Sequence, residues 1–232
     1  MILDLQANHY AAPLFTTYND ASIPFAYPPL GFFVGAGLSD LLNVSPLAII
    51  RWLPGIVNAI CIPAFYFFAN EALDNKLQSA IATLIYATTP HLTSWLSMGG
   101  GLTRSFGMLF MLLTLGYTYR VFTQNSKSDI LYAAIFGGLT VLSHTEAPLY
   151  TIAIAIYIWA MKSRSLPGVF NGLLIAIGVL IIAGPWYGTV IAEHGMEPFL
   201  SIMQTGSHTP FAIFKVLNIN DITEEPYLVL LG

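Results

Sequence analysis

The stretch PLAIIRWLPGIVNAICIPAFYFFA, residues 46–69, decides the fold class, because it is apolar along nearly its whole length. Arg51 is the one charged side chain within it. A helix needs about 20 consecutive, mainly apolar residues to cross the hydrocarbon core of a bilayer. The stretch therefore predicts a membrane-spanning helix.

The composition of the whole chain agrees with that prediction. Of its 232 residues 56% are hydrophobic and only 9% are charged, whereas about 25% are charged in a typical soluble domain. We therefore predict an integral membrane protein whose first partner is the lipid bilayer. The single Cys61 excludes a disulfide framework and a metal site built from several cysteines. A net charge of −4 with no basic patch excludes a nucleic-acid partner.

Five more apolar stretches follow the first, so the sequence predicts an all-α, polytopic bundle of about six spans. They are residues 78–96, 104–123, 129–144, 147–162 and 168–191. Residues 29–42 are too short to span and predict a helix in the membrane interface, with Phe32 and Phe33 in lipid and Asp40 in water. Three regions result: an outer-face loop with this interfacial helix (1–45), a transmembrane bundle (46–191) and an outer-face segment leading into a further, truncated span (192–232).

The distribution of charge predicts how the bundle is oriented. Five of the eight basic residues lie at the turns near residues 70–77, 120–129 and 162–168, namely Lys76, Arg120, Lys127, Lys162 and Arg164. An excess of Lys and Arg marks cytoplasmic loops. The opposite ends, which hold most of the acidic residues and all five histidines, are then extracytoplasmic. Any chemistry is expected on that outer face.

The sequence SMGGGLTRSFG, residues 97–107, is the most informative of the outer turns. Arg104 falls in the first turn of a predicted helix, where the helix dipole disfavours a cation. Together with free helix N–H groups and the backbone of Gly100 and Gly101, its guanidinium would bind a phosphate. In the alternative interpretation Arg104 reaches lipid headgroups and the glycines form a loose turn.

Two other outer turns carry candidate site residues. In LSHTEAPLY, residues 142–150, His144 and Glu146 could transfer a proton or bind an acceptor or metal, or could simply belong to a helix start. In AGPWYGTVIAEHG, residues 183–195, Trp186 and His194 are further candidate site residues. The alternative for Trp186 is an aromatic belt residue at the membrane interface.

The segment YPPL, residues 27–30, adds a stiff corner to the outer loop. Pro28 and Pro29 each fix their own φ near −65° and push the residue before them into an extended conformation. The corner would hold Tyr27 at a fixed depth over the bundle. It is equally a plain signal for the start of a helix.

Taken in order, these segments resemble a known family. The YPPL corner precedes Arg51-Trp52-Leu53-Pro54, the GLTR helix start (residues 101–104), a His-containing outer turn, and PWY leading to EHG. The pattern is similar to that of the polyprenyl-phosphate-dependent GT-C glycosyltransferases, the group of protein O-mannosyltransferases and the aminoarabinose transferase of lipid A. The resemblance covers nearly the whole chain, and YPPL is its most specific motif.

The resemblance implies a multi-pass enzyme of the cell membrane that moves a sugar from a polyprenyl-phosphate-linked donor to an extracytoplasmic acceptor. It implies that Arg104, with Gly100 and Gly101, binds the donor phosphate, and that Tyr27, Pro28 and Pro29 form the loop motif. Asp20, Glu146 and His144 would be the catalytic candidates, and His194 and Trp186 would lie on the acceptor side. In this family an acidic residue after the first span serves as base or binds a metal ion, so the cofactor stays open, and no metal ligands are assigned.

The chain departs from the family pattern in one respect. The acidic pair of the family should lie just upstream of Met1, and neither Asp4 nor Asp20 stands in the matching context. We therefore expect a fragment, truncated at both ends, and activity only in a longer protein. Two other classes stay open: a multi-pass transporter or flippase, which broken helices would favour, and a non-catalytic membrane subunit.

Overall fold

The structure, a computed structural model, describes residues 1–89, 94, 96–97 and 101–205, without the side chains of Asp20 and residues 202–205. It divides into two units, Met1–Glu193 and His194–Gly232. Regular structure in the described residues is helical, apart from one isolated β-bridge between Phe15 and Pro24. The predicted all-α fold class is confirmed.

Among the described residues, eight α-helices begin in the first unit and one lies in the second. In chain order they are α1 (Ile2–Ala7), α2 (Leu30–Leu42), α3 (Pro46–Ala72), α4 (Lys76–Thr88), α5 (Gly101–Gln124), α6 (Lys127–Ser143), α7 (Ala147–Lys162), α8 (Leu166–His194) and, in the second unit, α9 (Glu197–Thr205). A short 3₁₀ turn, Tyr18–Asp20, lies in the loop between α1 and α2.

Helices α3 to α8 each overlap one of the six predicted spans. Among the described residues, α3, α5 and α8 are long and apolar enough to cross a membrane. Helices α4, α6 and α7 have 13, 17 and 16 residues, which is shorter than the length that a span usually needs. The end of the predicted span 78–96 falls largely outside the described residues, and the division into three regions stays a prediction.

Helix α5 is the centre of the first unit, and α3, α6 and α7 pack around it. Its sequence suits that place because small and hydroxyl-bearing residues occur on all its sides. At Gly116 an added Cβ would lie 2.3 Å from the ring of Phe67 on α3. Such close approach of backbones through small residues is how membrane helices pack tightly.

The N-terminal segment packs onto this bundle and is part of its core. Ile2, Leu5 and Phe25 are buried in the same cluster as Val57 of α3 and Leu102 of α5. Phe32 and Phe33 of α2, expected in lipid, are half-buried against that cluster. At the other end of α2, the exposed Asp40 accepts hydrogen bonds from Gln6, at 2.6 Å, and from Tyr10. The N-terminal segment is therefore fixed at both ends of α2, by core packing at one end and by hydrogen bonds to Asp40 at the other.

The turns predicted to be cytoplasmic meet at one end of the bundle. Arg120 Nε donates to Asp129 at 2.9 Å across the turn between α5 and α6. Gln124 donates to Glu71 at the end of α3, at 3.2 Å. Asp129 lies in the first turn of α6, where the helix dipole favours a carboxylate. Polar contacts therefore connect the turns at this end of the bundle.

The Arg120–Asp129 pair should be important for stability because Asp129 is only 2% exposed. Arg120→Ala would leave that carboxylate buried without its cation, which costs about 3 kcal/mol or more. We expect the thermal unfolding midpoint in detergent to fall by about 5–10 °C. Lys127→Ala, which removes an exposed cation from the same turn, is the control and should change it by less than about 2 °C. Equal shifts in the two variants would contradict a structural role for the pair.

Candidate functional site

The candidate site lies at the end of the bundle opposite the Arg120–Asp129 pair, where α5 begins. Helix α5 starts at Gly101, and Arg104 stands in its first turn, half-buried. A Cβ at Gly101 would lie 2.2 Å from the carbonyl oxygen of Leu96, so the close backbone approach there requires glycine. Gly100, the other predicted phosphate ligand, lies outside the described residues.

The start of α2 lies beside the start of α5. A Cβ at Gly31 would contact Leu102 and Thr103 at 3.4 Å. Pro29 is the N-cap residue of α2, and Pro28 is fully buried just before it. The YPPL corner therefore fixes the N-terminal turn of α2 against that of α5. Two helix N-termini, each with partial positive charge, are adjacent at this end.

His144 is brought to Arg104 by a direct contact between α5 and the turn from α6 to α7. A Cβ at Gly107, one turn after Arg104, would lie 2.8 Å from the Cβ of His144 and 3.3 Å from that of Ala147. Only the absence of a side chain at Gly107 allows this approach. His144 is the C-cap residue of α6 and is 8% exposed.

The loop motif completes the same cluster. The rings of Tyr27 and His144 meet edge to face, with centroids 6.3 Å apart. Tyr27 also contacts Phe32 of α2 in the same way, at 6.0 Å. Tyr27, Arg104, His144 and Glu146, which are far apart in sequence, thus lie close together. We call these four residues the outer cluster.

Helix α8 contributes two aromatic side chains, Trp186 and Tyr187, to this end of the bundle. The ring of Trp186 meets Phe25 edge to face at 6.1 Å. The hydroxyl of Tyr187 donates to the carbonyl oxygen of Val141 on α6, at 3.2 Å, and it is close enough to Tyr27 to interact electrostatically. Sequence reasoning singled out Trp186 but missed Tyr187. The signal was present, since both belong to the segment PWY.

The electrostatics of the outer cluster keep His144 neutral. Burial lowers the pKa of His144, and the nearby Arg104 guanidinium lowers it further, although the Glu146 carboxylate acts in the opposite direction. The backbone N–H of Glu146 donates to Nδ1 of His144 at 3.2 Å. The cluster therefore combines one cation, one carboxylate and one uncharged imidazole.

The described structure does not bring three of the predicted site residues to this end of the bundle. Asp20 belongs to the 3₁₀ turn in the loop before the YPPL corner, and its side chain is outside the described part of the structure. His194 is the first residue of the second unit. Gly100, as noted, is not described. Within the described residues, no group of three or more His, Cys, Asp or Glu side chains could hold a metal ion, so we assign no metal ligands.

An apolar cavity of about 970 Å³ lies beside the outer cluster, between α5, α6, α7 and α8. Val141, Pro148 and Tyr187 line it near the turn that carries His144. From there it follows small residues along α8, including Gly184, Ala176, Gly172 and Gly168. The only polar atoms of its lining side chains are the hydroxyls of threonines and Tyr187 and the indole N–H of Trp159. The cavity suits a long hydrocarbon chain.

A family model described as dolichyl-phosphate-mannose-protein mannosyltransferase matches residues 26–187. The chain belongs to this family. It is therefore a membrane glycosyltransferase of the GT-C type, which confirms the resemblance seen in the sequence and favours a transferase over a transporter or a non-catalytic subunit. No curated protein and no solved structure matches the chain.

The matched range covers the residues of the outer cluster. It begins one residue before Tyr27 and ends at Tyr187, and it contains the whole outer cluster. Asp20 and His194, which lie outside the cluster, also lie outside the range. The range also includes every residue that lines the cavity.

The contact at Gly107 should determine the geometry of the outer cluster. Gly107→Ala would place a methyl group 2.8 Å from the Cβ of His144, so the turn must move, at a cost of about 1–3 kcal/mol. We expect a lower unfolding midpoint and a loss of transfer activity. Gly55→Ala in α3, where an added Cβ meets nothing within 4 Å, should be neutral or slightly stabilising. The contact would be unimportant if Gly107→Ala behaved like Gly55→Ala in both assays.

Proposed function

We propose that this protein transfers a sugar from a polyprenyl-phosphate-linked donor to an acceptor on the extracytoplasmic side of the cell membrane. The observation that supports this most is the convergence of Tyr27, Arg104, His144 and Glu146 at one end of the bundle. The basic residues concentrated at the opposite end favour a cytoplasmic location for that end, and so an outward-facing cluster.

Arg104 is the proposed ligand of the donor phosphate. A guanidinium in the first turn of α5 adds its charge to the partial positive charge of the helix N-terminus. Gly101, and Gly100 before it, would contribute backbone N–H groups to the same anion. The neutral state of the neighbouring His144 leaves Arg104 as the main cation of the outer cluster, which suits a ligand with a charged phosphate.

The proposed reaction is a displacement at the anomeric carbon of the sugar. The acceptor oxygen forms a bond to that carbon as the bond from the carbon to the phosphate oxygen breaks. The bonding electrons leave with the phosphate, whose growing charge Arg104 and the helix N–H groups stabilise. A carboxylate, Glu146 or Asp20, takes the acceptor proton. Trp186 and His194 are proposed to lie on the acceptor side.

The apolar cavity is the proposed site of the lipid part of the donor. Its volume of about 970 Å³ is at the upper end of the range for ligand pockets. An apolar space of this size in the membrane would hold hydrocarbon and not water. Because Tyr187 lines the cavity and interacts with Tyr27, a chain in the cavity could end in a phosphate at the outer cluster.

Arg104 gives the direct test of the donor site. In the full-length protein, Arg104→Ala should lower kcat/KM for a polyprenyl-phosphate sugar by about 100-fold or more. Arg104→Lys, which keeps the charge but loses the planar donor pair, should recover part of that loss. Arg51→Ala, which removes an exposed arginine of the predicted outer side, serves as control. Wild-type kinetics in Arg104→Ala would remove this residue from the mechanism.

Filling the cavity tests the lipid site separately. Ala155 lines the cavity, whereas Ala153 on the same helix is exposed and is not part of the lining. Ala155→Phe should raise KM several-fold for long-chain donors and much less for short-chain donors, because the added ring displaces distal hydrocarbon. Ala153→Phe, the same change on the lipid-facing surface, should leave both values near wild type. An equal effect of Ala155→Phe on both donors would place the lipid elsewhere.

A further inference from the structure

The ring of His144 is held in one orientation and in one tautomer. Its Nδ1 accepts a hydrogen bond from the backbone N–H of Glu146, at 3.2 Å. A backbone N–H can only donate, so Nδ1 must be the unprotonated nitrogen. A neutral imidazole carries one donor and one acceptor nitrogen, and the proton therefore resides on Nε2.

The surroundings fix both the ring and its charge. Gly107 allows α5 to contact the Cβ of His144, and the edge-to-face contact with Tyr27 restricts the ring. The titratable and charged groups that face the ring are Arg104 on α5, Glu146 on the same turn and Tyr27 on the N-terminal loop. Burial and Arg104 together outweigh Glu146, so the pKa of His144 is lowered and the ring is neutral.

This arrangement does not suit a general base. A base needs an unprotonated nitrogen directed at the proton that it removes. The unprotonated nitrogen of His144 is already occupied by the N–H of Glu146. Releasing it would cost a hydrogen bond and would require the ring to turn against Tyr27 and α5. Nε2–H, in contrast, can donate, and the described residues supply no acceptor for it.

We propose that His144 acts in the transfer reaction as a neutral hydrogen-bond donor, through Nε2–H, to a phosphate oxygen that Arg104 also binds. The proposal rests on the proposed function and assigns the removal of the acceptor proton to a carboxylate alone. A neutral donor beside Arg104 stabilises charge on the leaving phosphate without the repulsion that a second cation next to the guanidinium would cause.

The tautomer can be measured without any activity assay. The wild-type protein, labelled with ¹⁵N-histidine and held in lipid nanodiscs, is compared with His144→Gln to assign the His144 signals in a long-range ¹H–¹⁵N spectrum. We expect an unprotonated Nδ1 and a protonated Nε2 at pH 7, since the hydrogen bond from Glu146 holds Nδ1 unprotonated and the pKa of the ring is lowered by burial. A protonated Nδ1, or a doubly protonated ring at pH 7, would overturn the proposal.

Two amide substitutions then separate a donor from a base. His144→Gln can place an amide N–H near the position of Nε2, whereas the shorter His144→Asn places its amide near Nδ1. If His144 is a donor, Gln should retain about ten times more kcat than Asn, since a hydrogen bond to a charged group is worth about 1.5–3 kcal/mol. Neither amide can accept the acceptor proton as a base, so equal losses in the two variants would overturn the donor role.

The outcomes for this proposal and for the proposed function are distinguishable. No transfer by the wild-type protein with any polyprenyl-phosphate sugar would overturn the proposed function and, with it, the role of His144, even with the tautomer as expected. Transfer by the wild type together with a protonated Nδ1 would overturn the role of His144 alone. If either amide variant fails to fold, the wild-type tautomer spectrum decides.

Discussion

The outer cluster depends on one steric constraint, the contact of α5 with the turn between α6 and α7. Gly107 has no side chain, and the Cβ of His144 occupies the space where one would be. Arg104 is one helical turn away on the same face of α5. Backbone packing therefore places the turn of α5 that carries Arg104 beside His144. That rigidity is what a site for charge development needs, because donors that are already in place require no reorganisation during the reaction.

The same contact explains why a histidine here is uncharged. A surface histidine titrates near pH 6.5. His144 is buried against α5 and contacts little water, and the Arg104 guanidinium lies nearby. Both effects penalise the imidazolium. The hydrogen bond from Glu146 N–H to Nδ1 adds to this, because it can form only when that nitrogen is unprotonated. Packing, electrostatics and hydrogen bonding thus favour one protonation state together.

The helices were predictable from the sequence because apolar length is a strong signal, and α3, α5 and α8 begin and end within a few residues of the predicted spans.

The roles of Arg104, His144 and Tyr27 as candidates came from residue chemistry and from resemblance, and the structure brings these three together. Their proximity in the folded protein could not be predicted, since it depends on long-range packing at Gly107. Tyr187 was overlooked because a tyrosine near a helix end is typical of the membrane interface. Phe32 and Phe33, expected in lipid, pack partly against the protein core, and no local pattern reveals such a long-range contact.

The packing of α8 shows why the cavity lies where it does. Gly137 and Gly138 of α6 bring α8 close: an added Cβ at these positions would lie 2.7 Å from Val179 and 2.6 Å from Ile182. The cavity lies between α7 and α8, along the small residues of α8. Protein interiors are otherwise packed as densely as organic crystals, and a gap of about 970 Å³ cannot persist empty in a bilayer full of mobile hydrocarbon. Because the turn that positions His144 also sets the start of α7, the geometry of the charged end and the space for a lipid chain are consequences of a single bend in the chain.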